Sequence, residues 1–301
     1  MYEQIAANKR RSALLIAGFV VLVVLVGFAL GWVLGYGAVG MTIALAVAAL
    51  MAFTAYWYSD KIALKISRAV AADPNEFQRL HNLVEGLCIA AGLPKPQVFV
   101  ISDPAPNAFA TGRNPQHASI AVTSGLLEMM NRVELEGVLA HELSHVRNYD
   151  VLVSTIAVVL LGSIALVSDT AIRMMWWNGG RVRRSGDHGD RSNPLAFVGF
   201  ALLIFAPILA RVFQAALSRR RETLADMSAV LLTRYPPGLI SALQKLDADS
   251  TVTHSASRAT AHLWIEQPVA RTADEGRLSR INRMFDTHPP LTERIALLQE
   301  L

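Results

Sequence analysis

Two uncharged apolar runs near the N-terminus, Ala13–Leu34 and Ala38–Tyr58, constrain what this chain can fold into more than any other feature. Each is roughly 20 residues long, and at about 1.5 Å of rise per residue a helix of that length crosses a hydrocarbon core of about 30 Å. Gly35, Tyr36 and Gly37 leave room only for a tight turn between them. A cleaved signal peptide is the competing reading. Against it, the first run is long, no A-x-A-like pattern closes it, and the second run follows almost at once. Lys9, Arg10 and Arg11 precede the hairpin, Lys61, Lys65 and Arg68 follow it, and the turn carries no cation. The positive-inside rule then puts both open ends in the cytosol.

A second apolar pair, Val151–Ser168 and Leu195–Ala210, is shorter and is bordered by Asp169 and Arg211. Its connecting loop carries Arg173, Arg181, Arg183, Arg184 and Arg191, which an external loop disfavours. Either the first hairpin fixes orientation and this loop is translocated with it, or the second pair enters the membrane without crossing; the lengths favour two spans. The basic loop, 173–194, has no legible role. Composition agrees with a membrane class, at 52% hydrophobic and 17% charged residues. A pI near 9.4 raises the question of nucleic acid. The cations flank apolar runs, however, so anionic lipid headgroups account for them and the bilayer is the expected partner. Cys88 is the only cysteine, which excludes an intramolecular disulfide and a thiolate metal cluster and fits a reducing compartment.

Ser59 to about Leu93 reads as helical, with Asp73 as N-cap, Pro74 at the first helical position, Glu76 completing a capping box and Gly92 at the far end. Gln97–Ile101 and Ala118–Thr123 are β-branched runs bounded by turn residues, and they predict a small sheet that includes Asn107–Gly112. Asn131 with Glu134 three residues on predicts the start of a helix that runs to about Asn148, with a continuation into the third apolar run left open. Helices are also expected over Ser218–Thr233, Gly238–Leu246 and Leu291–Leu301. Asp247–Arg280 is polar and aperiodic, as a loop or lid would be. The organisation expected is an N-terminal transmembrane hairpin over 1–58, a first part of a catalytic module over 59–150, a second transmembrane or re-entrant hairpin over 151–217, and the rest of the module over 218–301.

His141-Glu142-Leu143-Ser144-His145 matches H-E-x-x-H. On a helix the i, i+4 spacing puts both imidazoles on one face, able to bind one tetrahedral ion, with Glu142 beside the open position as the base that activates water. Zinc suits this set as a redox-inert Lewis acid that lowers the pKa of bound water. A third ligand should come from another helix, and Glu222 in Ser218–Asp226 is the best candidate; its alternative is a surface carboxylate balancing Arg219–Arg221. Asp226, one turn on, is positioned to orient an imidazole. One ion can bind His145 and Glu222 only if the apolar pair between them leaves and returns on the same side, which puts the ion on the order of 10 Å from the membrane surface. The substrates expected there are membrane proteins or their cytosolic tails. His81, His117, His188, His254 and His262 lack ligand spacing.

Together with Asn107–Gly112, the continuation to Asn148 and Asp150, the Ser218–Asp226 segment and Thr287-His288-Pro289-Pro290, the chain resembles the HtpX family of membrane zinc proteases, relatives of the CAAX prenyl proteases. The resemblance spans nearly the whole sequence. It implies a mainly α, polytopic membrane protein with a zincin-like metalloprotease domain containing a small β-sheet. It also implies one Zn2+ per chain, a multi-pass location in the cell (inner) membrane with a cytosolic site, and action on misfolded membrane proteins. The family pattern supports Glu222 as a ligand, and it brings His288 and Arg294 near the site, where a donor would stabilise an oxyanion; read by itself, His288 is a helix N-terminal residue before Pro289. Asn107, Ala108 and Phe109 resemble a substrate-binding sheet edge, with a plain turn and a core-packed Phe109 as the alternative. Two other activities compete: a catalytically silent membrane adaptor with a metal clamp, whose signature would be loss of the Glu142 carboxylate, and a narrow CAAX-type prenyl-protein protease, which would favour more spans.

Overall fold

In the computed structural model the described residues are 2–33, 37–159, 219–257, 260–266 and 289–300. The helix that carries the H-E-x-x-H motif, Arg132–Arg147, starts at a complete capping box. The Asn131 side chain accepts from the Glu134 amide and the Glu134 carboxylate accepts from the Asn131 amide. The same carboxylate accepts from Ser241 Oγ at 2.6 Å and Lys245 Nζ at 2.7 Å. One acidic residue therefore caps this helix and docks a second one against it. Gly137 permits the close crossing of the pair, since a Cβ there would sit 2.9 Å from the Leu239 backbone.

In chain order the elements are α1 (Tyr2–Val33), α2 (Gly37–Ile66), β1 (Val70–Ala71), α3 (Gln78–Ala91), β2 (Gln97–Ile101), β3 (Ala108–Asn114), β4 (His117–Thr123), α4 (Ser124–Met129) and α5 (Arg132–Arg147). Residues 150–159 are helical and are labelled α6. They are followed by α7 (Arg219–Thr233), α8 (Pro236–Ala248), a 3-10 turn (Ala261–Leu263) and α9 (Leu291–Gln299). The sheet has the order β1-β2-β4-β3, with β2 and β4 parallel and the other pairs antiparallel. β3 is thus an edge strand, joined to β4 by a hairpin with a bulge between Gly112 and Asn114. Side chains from α3, the sheet, α5, α7, α8 and α9 share one apolar core around Val84, Ile120, Leu139 and Leu243.

The expected helix over Ser59–Leu93 is two helices with a strand between them. α2 ends at Ile66, Arg68 takes φ 55°, and Val70–Ala71 pairs with Phe99–Val100 of β2. Sheet pairing has overridden local helix preference here. Asp73 caps a turn by accepting from the Asn75 amide, and α3 begins after Phe77 with no side-chain cap, so the expected capping box is absent. Gly92 does close α3, in the left-handed conformation at φ 66°. The motif helix also does not run on without a break, because Tyr149 takes φ 61° between α5 and α6.

α1 and α2 pack on each other as a hairpin, and α1 also contacts α6 through Leu15, Phe19, Leu152, Val153 and Ile156. Among the described residues no helix is long and apolar enough to cross a membrane. Of the second apolar pair only 151–159 is described; the basic loop 173–194, His188 and Leu195–Ala210 lie outside the described residues.

Candidate metal centre

α5 and α7 lie side by side and bring His141, His145 and Glu222 together, with one potential ligand atom from each lying within 4.8 Å of the other two. His141 Nε2 and His145 Nε2 are 3.1 Å apart; Glu222 Oε2 is 3.5 Å from the first and Oε1 is 3.7 Å from the second. Ligands about 2.0–2.1 Å from a tetrahedral ion are spaced by roughly 3.3 Å, so the two imidazoles lie near that spacing, and the carboxylate faces both with one oxygen towards each ring. Nitrogen and carboxylate donors of this kind suit a divalent metal. His141 and Glu222 are buried at 0% and 3% exposure, an expensive environment for the two groups unless a cation or protons join them.

The outer nitrogens hold the rings in register. A carboxylate can only accept, so His141 Nδ1 donates to Asp226 Oδ1 at 2.8 Å and His145 Nδ1 donates to Asp150 Oδ2 at 3.2 Å. In the neutral imidazole, the form that binds a metal, each Nε2 is then the atom with the lone pair, turned towards the other ligands. Asp226 is gripped in turn by Arg294 from α9, whose Nε and Nη2 donate at 2.8 and 2.6 Å. Arg294 is 1% exposed, and this fork makes it a support for Asp226 and His141.

Charge in this buried cluster is strongly coupled. Burial and the nearby Arg294 press His141 towards its neutral form, but the charge and hydrogen bond of Asp226, together with the Glu222 contact, outweigh them and push its pKa up to about 9. Burial acts to raise the Asp226 pKa, and the Arg294 guanidinium and His141 lower it below the ordinary carboxylate value. Glu142, next to His141 on α5, is 2% exposed.

A sequence model described as peptidase family M48 matches residues 74–301. The chain belongs to peptidase family M48. A protease HtpX homolog of Caldanaerobacter subterraneus subsp. tengcongensis is 43% identical over 301 residues, covering 100% of this chain and 98% of that protein. One from Lactobacillus acidophilus is 43% identical over 305 residues and covers 100% of both. In the crystal structure of S. mikatae Ste24p the match has a TM-score of 0.52 at 16% identity, over 99% of this chain and 67% of that one, so the fold is shared. As an M48 peptidase of the HtpX type, the chain is a metalloprotease.

Within this M48 fold the other expected site residues are distributed unevenly. Asn107, Ala108 and Phe109 do lie at the start of the edge strand, but their outward groups are engaged by the chain itself. The Ile265 amide donates to Ala108 O at 2.9 Å, and the Asn107 side chain exchanges hydrogen bonds with the Glu266 backbone at 3.0 and 3.2 Å. Phe109 is fully buried, edge-on to Trp264 at 4.8 Å between ring centroids. The described part of the polar segment after Asp247 is therefore fastened to the sheet, by Trp264 and Ile265, two apolar residues that its overall polarity obscured. His288 lies outside the described residues. Asp150, named in the sequence only as part of the family pattern and given no role there, is the partner of His145; it lies beyond a helix break that periodicity does not reveal.

Proposed function

We propose that this M48 protease is a zinc endopeptidase anchored in the cell membrane, with its site on the cytosolic side, and that it hydrolyses peptide bonds of misfolded or damaged membrane proteins. The observation that carries the reading is the cage itself: two Nε2 atoms 3.1 Å apart with one carboxylate facing both, and both Nδ1 atoms held by carboxylates. His141, His145 and Glu222 would hold one zinc ion, and bound there it would supply Lewis-acid polarisation of the scissile carbonyl and of water. Glu142 takes the proton of the attacking water and returns it to the leaving amine. Asp226 and Asp150 hold the imidazoles, and Arg294 holds Asp226. His288 is proposed as a donor to the oxyanion on family resemblance alone.

By family resemblance an extended peptide would lie along β3 through main-chain hydrogen bonds, and at Asn107 and Ala108 it would have to displace the backbone contacts of Glu266 and Ile265. The membrane location is supported by the outward side of the hairpin, where Leu14, Ile43, Leu50 and Phe53 are 53–65% exposed, and by the cations at its two open ends. The retained Glu142 disfavours a silent adaptor.

Cleavage of unfolded casein by the detergent-purified protein, with and without chelator, tests the reading. Cleavage should stop on chelation and return with added zinc. The Glu142→Gln variant should keep its metal and lose about 10²–10⁴-fold in rate. Chelator-insensitive cleavage, or full activity of Glu142→Gln, would overturn it, and cleavage of prenylated CAAX peptides alone would indicate the narrow protease.

A further inference from the structure

The two imidazoles are anchored from different parts of the molecule. The supports of His141, Asp226 and Arg294, come from α7 and α9. The support of His145 leads instead to the N-terminal hairpin. Asp150 meets His145 through Oδ2, and its Oδ1 accepts from Asn8 Nδ2 at 2.6 Å. The same amide nitrogen donates to Asn148 O at 2.9 Å, so both amide hydrogens are committed to the break between α5 and α6. Asn8 is 3% exposed and stands five residues before the first apolar run. Arg221 Nη1 is 3.6 Å from the same Asp150 oxygen, too far for a hydrogen bond.

We propose that Asn8 is a positioning residue of the metal centre, setting the Asp150 carboxylate and through it the ring of His145, so that the anchoring helix α1 is a working part of the site. The inference rests on His145 being a metal ligand. The geometry at the break explains the need for Asn8. Asp150 follows a left-handed residue, so the regular geometry of α5 does not fix where its side chain points. A carboxylate rotates easily about its last torsion, and the hydrogen bond to His145, with an ion pair to Arg221 too long to direct it, would leave it loose. Tying the second oxygen to Asn8 removes that freedom, which holds the imidazole with Nε2 towards the ion.

Attachment of α1 does not need this bond. Leu15 and Phe19 pack on Leu152, Val153 and Ile156, and Lys9 lies over the Tyr149 ring at 4.4 Å. Burying an amide beside these contacts is costly unless its hydrogens are used, and they are used on the residues that orient a ligand. Two hydrogen bonds in series therefore carry any displacement of α1 to His145, so seating of the hairpin and assembly of the centre are linked.

The test measures zinc affinity of the full-length protein in detergent by competition with a chromogenic chelator, and records the visible spectrum of the Co2+-loaded protein. Asn8→Ala should weaken zinc binding by about 10-fold or more and alter the cobalt bands. Asn8→Asp, the same shape with a carboxylate facing Asp150, should weaken it at least as much. Lys9→Ala, which removes a docking contact of the same helical turn, should change affinity by less than about twofold. In an Asp150→Ala background Asn8→Ala should add nothing, because the two act in series. Wild-type affinity in both Asn8 variants, an equal loss in Lys9→Ala, or an additive loss in the Asp150→Ala background would overturn the proposal. Unchanged affinity in His145→Ala would instead overturn the ligand assignment on which it stands.

Discussion

Around His141 the polar groups are turned inward and answered: Asp226 accepts from an imidazole and a guanidinium, and Arg294 is all but sealed from solvent. Along α1 and α2 the pattern is reversed, with Leu14 at 64%, Ile43 at 59% and Leu50 at 65% exposed and a buried amide, Asn8, on the inside. Water cannot be the intended surroundings of both. A buried ionic cluster persists only where every charge has a partner, and an apolar surface of this extent persists only where something apolar covers it. The support of His141 is thus answered from within the fold, whereas the outward face of the hairpin calls for apolar surroundings, which under the proposed function are lipid.

The contrast is sharpest at Arg294. Arg294→Ala leaves Asp226 buried with only His141 to answer it, and should cost about 3–5 kcal/mol, read as a fall in thermal unfolding temperature. A change near zero would mean that the cluster is open to water. At Leu50 the same reasoning predicts a different readout. Leu50→Lys should cost about 2.5–3.5 kcal/mol of membrane insertion, seen as loss from alkali-washed membranes, with little change in the catalytic module. Unaltered membrane retention would contradict a lipid-facing α2.

The smallest effect is expected at Glu134. Burial raises its pKa, but Lys245, Ser241 and the Asn131 amide outweigh this and lower it below the ordinary 4.5. Its folded value lies under its unfolded one, so its stabilisation is present above about pH 4.5 and is lost as pH falls through the folded value. Lys245→Ala should flatten the fall of unfolding temperature in that acid range, by the equivalent of about 1 kcal/mol or less, since the lysine is partly exposed.

What the sequence revealed follows the same division. The ligands of α5 were legible because a helix imposes i, i+4 geometry on His141 and His145, and the Asn131 and Glu134 box marked where that helix starts. Gln97–Ile101 was legible because β-branched residues between turn residues leave few alternatives, and the strand has those bounds. Local signals misled where distant pairing decides. Asp73, Pro74 and Glu76 have the spacing of a helix start, yet β2 recruits Val70–Ala71 into the sheet and Asp73 serves a turn. Asp150 and Asn8 were invisible as a pair, because their bond joins residues 142 positions apart across a break. Trp264 and Ile265 were hidden by averaging over a polar segment.

The most direct test of the account is the metal content of the purified protein and of its Glu222→Ala variant, measured by elemental analysis after dialysis against trace zinc. The wild type should hold one zinc per chain, and the variant, left with two imidazoles, should lose most of it while remaining folded. A variant that kept one full equivalent at wild-type affinity would contradict a centre built from His141, His145 and Glu222.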